Sequence, residues 1–210
     1  MRPLRPGDKH MYNWRKMTPA QRADVLRLRQ ISKQPWHRPP HGLETNWFHL
    51  AASCYEHAML LGSTPQRLSS FSNDLDAFLR AETLVTMAWC ILPNHYHALV
   101  QCIDVTRLRK ALGQLHGRTS HTWNVEDNAA GRKCWHACLL KPVRSVDHRW
   151  ATLNYIHHNA VRHGYAARWT DWPFSSAAPY LDRVGRDYAE RTWKKYPVLE
   201  MGHGWDEPDL

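Results

Sequence analysis

Two apolar runs, Leu84 to Leu92 and His95 to Cys102, are separated only by Pro93 and Asn94. Both are short for helices and rich in Val, Ile, Thr, Tyr and Trp, so they read as strands, and the Pro-Asn break leaves room only for a tight turn. The pair is therefore a hairpin, and the sheet containing it is antiparallel. A lone hairpin is marginal in water, so neighbouring segments must cover it. Trp47 to Cys54 reads as a further strand. Thr64 as N-cap and Pro65 as first helical residue open a helix whose Leu68, Phe71, Leu75, Phe78 and Leu79 recur at the spacing of one buried face. Asp104 caps a second helix, with Val105, Leu108, Leu112 and Leu115 as its inner stripe. Asn124 to Gly131 reads as loop, Cys134 to Leu140 as a fourth strand, and about Asp147 to His163 as a last core helix ended by Gly164.

The order strand, helix, strand, strand, helix, strand predicts an α+β protein with a ferredoxin-like βαββαβ core, an antiparallel sheet and one appended helix. In that topology the third strand is central, and one of its faces is expected to lie on a broad, water-accessible platform. The core is expected over residues 47–165. An N-terminal extension, 1–46, carries one helix signal (Thr18 as N-cap, Pro19, Gln21) and a proline-broken strap from Pro35 to Gly42. The C-terminal extension, 166–210, reads as a Trp/Pro-rich tail.

Composition narrows the partners. Lys plus Arg outnumber Asp plus Glu by 28 to 19 in 210 residues, a net charge of +9, so a polyanion is the expected partner. No apolar stretch approaches the ~20 residues that span a bilayer, and the basic start lacks a signal-peptide core, so a cytoplasmic, bacterial location and no membrane partner are expected. The five cysteines read as reduced thiols.

His95 and His97 sit two apart on the central strand, so they share a face and two imidazoles can grip one cation. Two ligands rarely complete a site. Tyr155 and Asn159, four apart on the closing helix, stack one above the other and offer a phenol and a carboxamide oxygen. A metal held by His95, His97 and Asn159 leaves positions open for a phosphate, and Tyr155 is then the candidate nucleophile. Its phenol, with an ordinary pKa of ~10, needs activation before it attacks. Arg109, Lys110, Arg118, Arg144, Arg162 and His163 are candidate nucleic-acid-binding residues, and the tryptophans, tyrosines and histidines of both extensions suit stacking on unpaired bases. Trp47, Trp89 and Trp150 are expected to pack. Cys134, His136 and Cys138, on one strand face, read better as buried small residues than as a zinc site.

Three segments, Leu92-Pro93-Asn94-His95-Tyr96-His97, Asn154 to Gly164 and Asp171-Trp172-Pro173-Phe174-Ser175-Ser176, together resemble the REP-associated tyrosine transposases, of the HUH single-strand endonuclease group. The resemblance covers roughly residues 47 to 180, with subgroup features in the entry segment from Trp14 to His41 and in the tail from Trp193 to Trp205. It implies a nuclease and strand transferase acting on single-stranded DNA hairpins from palindromic repeats, in which Tyr155 forms a 5′-phosphotyrosine and leaves a 3′-hydroxyl. It also implies Mg²⁺ or Mn²⁺ at His95, His97 and Asn159, a bacterial, nucleoid-associated setting, and a monomer or homodimer. The family usually has proline where this chain has Ala160. The competing expectation from another class is a non-catalytic, ferredoxin-like nucleic-acid-binding module that uses the sheet as a stacking platform. A zinc hydrolase with the His-x-His pair on a barrel strand is a weaker one, because the chain lacks the succession of βα units.

Overall fold

The structure, a computed structural model, describes residues 46–198 and, before them, residues 18–20. The chain divides between Leu43 and Glu44, and the fold described here belongs to the second unit. Pro19 and Ala20 are helical, as the Thr18-Pro19 signal predicts. The strap at Pro35 to Gly42 and the tail beyond residue 198 lie outside the described residues.

The second unit runs β1 (Trp47–Ser53), α1 (Pro65–Glu82), β2 (Val85–Leu92), β3 (His95–Gln101), α2 (Val105–Glu126), β4 (Leu139–Pro142), α3 (Val146–Arg162), α4 (Ala177–Val184) and α5 (Arg186–Lys195). The strands form one antiparallel sheet in the order β2-β3-β1-β4, the arrangement the ferredoxin-like reading requires, with β3 and β1 central. The predicted caps are in place: Thr64 accepts from the Arg67 N–H at 3.1 Å and Asp104 from the Arg107 N–H at 2.9 Å. The hairpin turn is anchored by two backbone bonds, Cys54 N–H to Asn94 O at 2.7 Å and Gly62 N–H to Pro93 O at 2.8 Å. A side chain at Gly62 would run into Pro93, so only glycine permits that approach.

Strand alternation divides the residues between two faces. Phe48, Leu50, Ala52, Tyr96, Ala98 and Val100 pack against α1 and α2 in one apolar core. Cys90, Leu92 and Leu99, with the intervening histidines, face α3, whose Leu153, Tyr155, Ile156 and Ala160 build the second core. The sheet face expected as an open platform is therefore covered. An α3 whose residues 152–157 are all buried must pack on the sheet with one side and on α4 and α5 with the other.

Three further expectations are corrected. Residues 124–126, read as loop, belong to α2, because its last turns carry the buried Trp123 and the exposed Glu126, which pairs with α1. Glu126 and neighbouring Asp127 each reach the buried Arg67 guanidinium at 2.7 Å. The fourth strand is Leu139–Pro142 and not Cys134 to Leu140: Ala51 pairs with Leu139 but Cys54 bridges Trp135, so one extra residue bulges out between the two contacts. That bulge breaks the common face expected for Cys134, His136 and Cys138. Cys134 Sγ meets Asn124 Oδ1 at 3.3 Å, His136 Nε2 accepts from the Glu56 N–H at 3.0 Å, and Cys138 Sγ meets Ala51 O at 3.4 Å. The C-terminal segment is not simply a tail, since α4 and α5 fold back onto α3 and β2. Trp47, Trp89 and Trp150 are half-buried, and Trp123 and Trp135 are the more deeply packed tryptophans. No helix among the described residues is long and apolar enough to cross a membrane.

Candidate active site

The tight turn starts β3 at His95, so His95 and His97 project toward α3, while Tyr96 between them enters the opposite core and bonds His116 Nε2 at 2.7 Å. α3 is positioned at both ends. Ser145 accepts from the His148 N–H at 3.0 Å, and Gly164, at φ 74°, allows the closing pair Gly164 N–H to Val161 O and Tyr165 N–H to Ala160 O. The helix runs unbroken through Ala160, where proline is usual in the family it resembles.

The predicted histidine pair and the predicted helix face converge. Tyr155 Oη lies 3.4 Å from His97 Nε2, and Asn159 Oδ1 lies 3.1 Å from His95 Nε2. The His95 and His97 ring centroids are 5.1 Å apart. Two histidines join them: His49 Nε2 contacts His97 Nδ1 at 3.2 Å, and the His163 ring lies 4.9 Å from that of His95. Burial, then the positive field of His163 and Lys141, pushes His97 down to about 3. Burial and the same kinds of neighbour hold His49 well below its usual range, and burial with Arg162 lowers His163. Burial thus favours the uncharged form of these rings.

His95 Nδ1 lies 2.7 Å from Asn94 Oδ1 and its Nε2 3.1 Å from Asn159 Oδ1, so oxygens face both ring nitrogens. Asn159 Nδ2, fully buried, has no hydrogen-bond partner. The spacing of His95 Nε2 and Asn159 Oδ1, 3.1 Å, matches that of neighbouring ligands of an octahedral ion bound at ~2.0–2.1 Å. The donor set fits a divalent cation, although it is neutral. Among the described residues no group of three or more His, Cys, Asp or Glu is arranged to hold a metal ion, so the candidate donor set here is two imidazoles and one amide oxygen.

Tyr155 is 2% exposed, His97 2% and Asn159 0%. The hydroxyl points at the histidines, but the site is closed. Of the basic residues, Arg144 precedes the N-cap of α3, and Arg162 and His163 end it, on the histidine face. Arg109, Lys110 and Arg118 are exposed on α2, across the sheet, and are not brought to the site. Sequence reasoning missed His49 and Lys141. They are direct cross-strand partners on β1 and β4, sharing the face of His97. Only strand parity together with the true position of β4 reveals them.

The last resembling segment has a structural role. Ile91 N–H donates to Phe174 O, Ser176 N–H to Trp89 O, and Trp172 Nε1–H to Ile91 O at 2.7 Å, so the segment pairs along the free edge of β2. Ser176 Oγ also meets His157 Nε2 at 2.9 Å and so fastens α3. These aromatic residues, expected to stack on bases, are partly packed: Trp172 and Phe174 lie against the core.

No family model matches the chain. Over 130 residues, 55% of this chain and 70% of the relative, it is 29% identical to a Haemophilus influenzae protein with the provisional name REP-associated tyrosine transposase. Its fold is similar to a solved structure of a REP-associated tyrosine transposase bound to a REP hairpin, with TM-score 0.54 and 15% identity over 71% of this chain and 87% of that one. The chain is thus similar in sequence to one protein carrying the REP-associated tyrosine transposase name and similar in fold to a solved one.

Proposed function

We propose that the chain is a metal-dependent, single-strand DNA endonuclease and strand transferase acting on REP-type hairpins, with Tyr155 as nucleophile. The observation that supports it most is the convergence across α3 and β3: a phenol and an amide oxygen, one helical turn apart, facing the ring nitrogens of His97 and His95. His95, His97 and Asn159 would hold Mg²⁺ or Mn²⁺, which when bound would draw charge from a phosphate oxygen and lower the barrier to in-line attack. The Tyr155 oxygen forms a bond to phosphorus as the P–O3′ bond breaks. The phenol releases one proton and the departing 3′-oxygen takes one up, so the step is balanced. It leaves a 5′-phosphotyrosine and a 3′-hydroxyl, and the reverse attack restores the DNA without ATP. Arg144, Arg162 and His163 lie at the two ends of α3 and would meet the backbone.

The buried hydroxyl requires α3 or its covering to open before chemistry. That same burial favours a second reading, a hairpin-binding module without cleavage. An end-labelled hairpin with unpaired flanks, incubated with Mn²⁺, separates the two. Cleavage of the unpaired DNA, with perfect duplex hardly cut and EDTA stopping the reaction, is the expected result. Binding without cleavage under every divalent metal, or equal cleavage of duplex, would overturn the proposal.

A further inference from the structure

While Tyr155 and Asn159 look toward the sheet, His157 and His158 on the same helix look the other way, into a cavity of about 320 Å³ between α3 and the C-terminal helices. Trp169, Tyr180 and Trp193 line it, and Arg186, Lys194 and Glu190 belong to its rim. The volume is at the lower end of ligand pockets, ~300–1,000 Å³, suited to one flat ring system and not to a peptide.

His157 carries the second, independent observation. It is 3% exposed, its ring lies 4.9 Å from that of Tyr180 and 5.9 Å from that of Trp169, and its Nδ1 has no hydrogen-bond partner. The proton on that nitrogen can be assigned. Ser176 Oγ accepts the Trp89 N–H at 2.8 Å. Trp89 O already receives the Ser176 N–H at 2.9 Å and the Ser175 hydroxyl at 3.3 Å. The Ser176 hydroxyl proton therefore goes to the nearer remaining acceptor, His157 Nε2 at 2.9 Å, in preference to Trp89 O at 3.2 Å. With Nε2 accepting from Ser176, the ring's N–H is Nδ1–H, a buried donor without an acceptor.

Resting on the transferase reading above, we propose that this cavity receives one unpaired nucleobase of the DNA that Tyr155 attacks. The base stacks among Trp169, Tyr180 and Trp193, and its ring nitrogen or carbonyl oxygen accepts the His157 Nδ1 proton. Its phosphates run past Arg186 and Lys194 and away from Glu190. Enzymes that act on extruded nucleotides use such snug aromatic pockets, and guanine N7 and O6, adenine N7 and thymine O4 supply the required acceptor. Because Asn154 and His157 on one side of α3 alternate with Tyr155 and Asn159 on the other, a base held here fixes the strand against the helix that carries the nucleophile.

The test uses the full chain and hairpins with unpaired flanks, each flank nucleotide replaced in turn by an abasic site, with affinities read without divalent metal. In wild type, one abasic position should weaken binding by about 5- to 150-fold, the fold-change equivalent of base stacking. In Trp193→Ala, whose side chain is 39% exposed in wild type, the penalty at that position should fall below about threefold while other positions keep theirs. 2-Aminopurine at the same position, in wild type alone, should be quenched on binding, so the proposal does not depend on the variant folding. Unchanged penalties at every position, or no quenching at any, overturn the pocket while leaving hairpin binding and adduct formation intact. Failure of wild type to bind any hairpin overturns the transferase reading as well. Filling of the cavity by free deoxynucleoside monophosphate, with no abasic effect in DNA, would make the ligand a free nucleotide and also overturn the assignment.

Discussion

The two faces of the sheet carry the same alternating strands and do opposite work. On the α1/α2 face, Phe71 lies 5.3 to 6.0 Å from the rings of Tyr96, Trp135 and Trp123, and the polar groups there are mostly matched, as with Tyr96 and His116 or Arg67 and its two carboxylates. On the α3 face the core is interrupted by His49, His95, His97, Tyr155 and Asn159, all buried, with one amide nitrogen orphaned. Apolar residues of similar volume there would cost less desolvation. One side of the sheet is packed for stability, and the other accepts a desolvation penalty that the proposed chemistry at Tyr155 would account for.

Substitution should separate the faces. His97→Ala is expected to slow DNA cleavage by several kcal/mol, on the order of 10³-fold, while hairpin affinity changes by less than about threefold, because the proposed metal serves the reaction and not the binding. Parallel cleavage and electrophoretic binding assays check this, and equal losses in both would contradict it. Phe71→Ala should do the reverse. Removing a ring that is 1% exposed should cost about 3–5 kcal/mol of stability by urea denaturation, with cleavage per folded molecule preserved.

Acid should act through the buried imidazoles. His97 and His157 are pushed down to about 3 and His116 to about 4, in each case mainly by burial. Between those values and the unfolded pKa of ~6.5, the unfolded chain binds more protons than the folded one. Stability is therefore full above pH ~6.5 and lost as pH falls toward 3, by at most about 1.4 kcal/mol per pH unit per histidine. Urea midpoints between pH 7.5 and 4.5 should decline before carboxylates titrate, and a flat profile over pH 6.5 to 5 would refute the burial of these rings. The smallest effect concerns charge. Arg162→Ala should reduce the salt slope of hairpin binding by about 1, whereas Arg109→Ala, across the sheet, should leave it unchanged.

The parts legible in sequence were those written in local chemistry. Thr64-Pro65, Asp104 and Gly164 mark helix ends with side chains or backbone freedom that act within a few residues, and the alternation around Pro93-Asn94 sets the hairpin. Tyr155 and Asn159 were legible because helical spacing is fixed. What escaped depends on distant partners. Residues 124–126 stay helical because Trp123 and Glu126 meet Phe71 and Arg67 from α1, and β4 starts late because of a bulge opposite β1. His49 and Lys141 become site residues only once that register is known. The closure of the site escaped too, since nothing in α3 alone states that its second face will be covered by α4 and α5.

The covalent link between Tyr155 and DNA tests the account most directly. Incubated with a single-stranded REP-type hairpin and Mn²⁺, the wild-type chain should give an SDS-resistant adduct whose DNA-bearing peptide contains Tyr155, and Tyr155→Phe should give none. An adduct of equal yield in Tyr155→Phe, or none in wild type while the hairpin is bound, would contradict it.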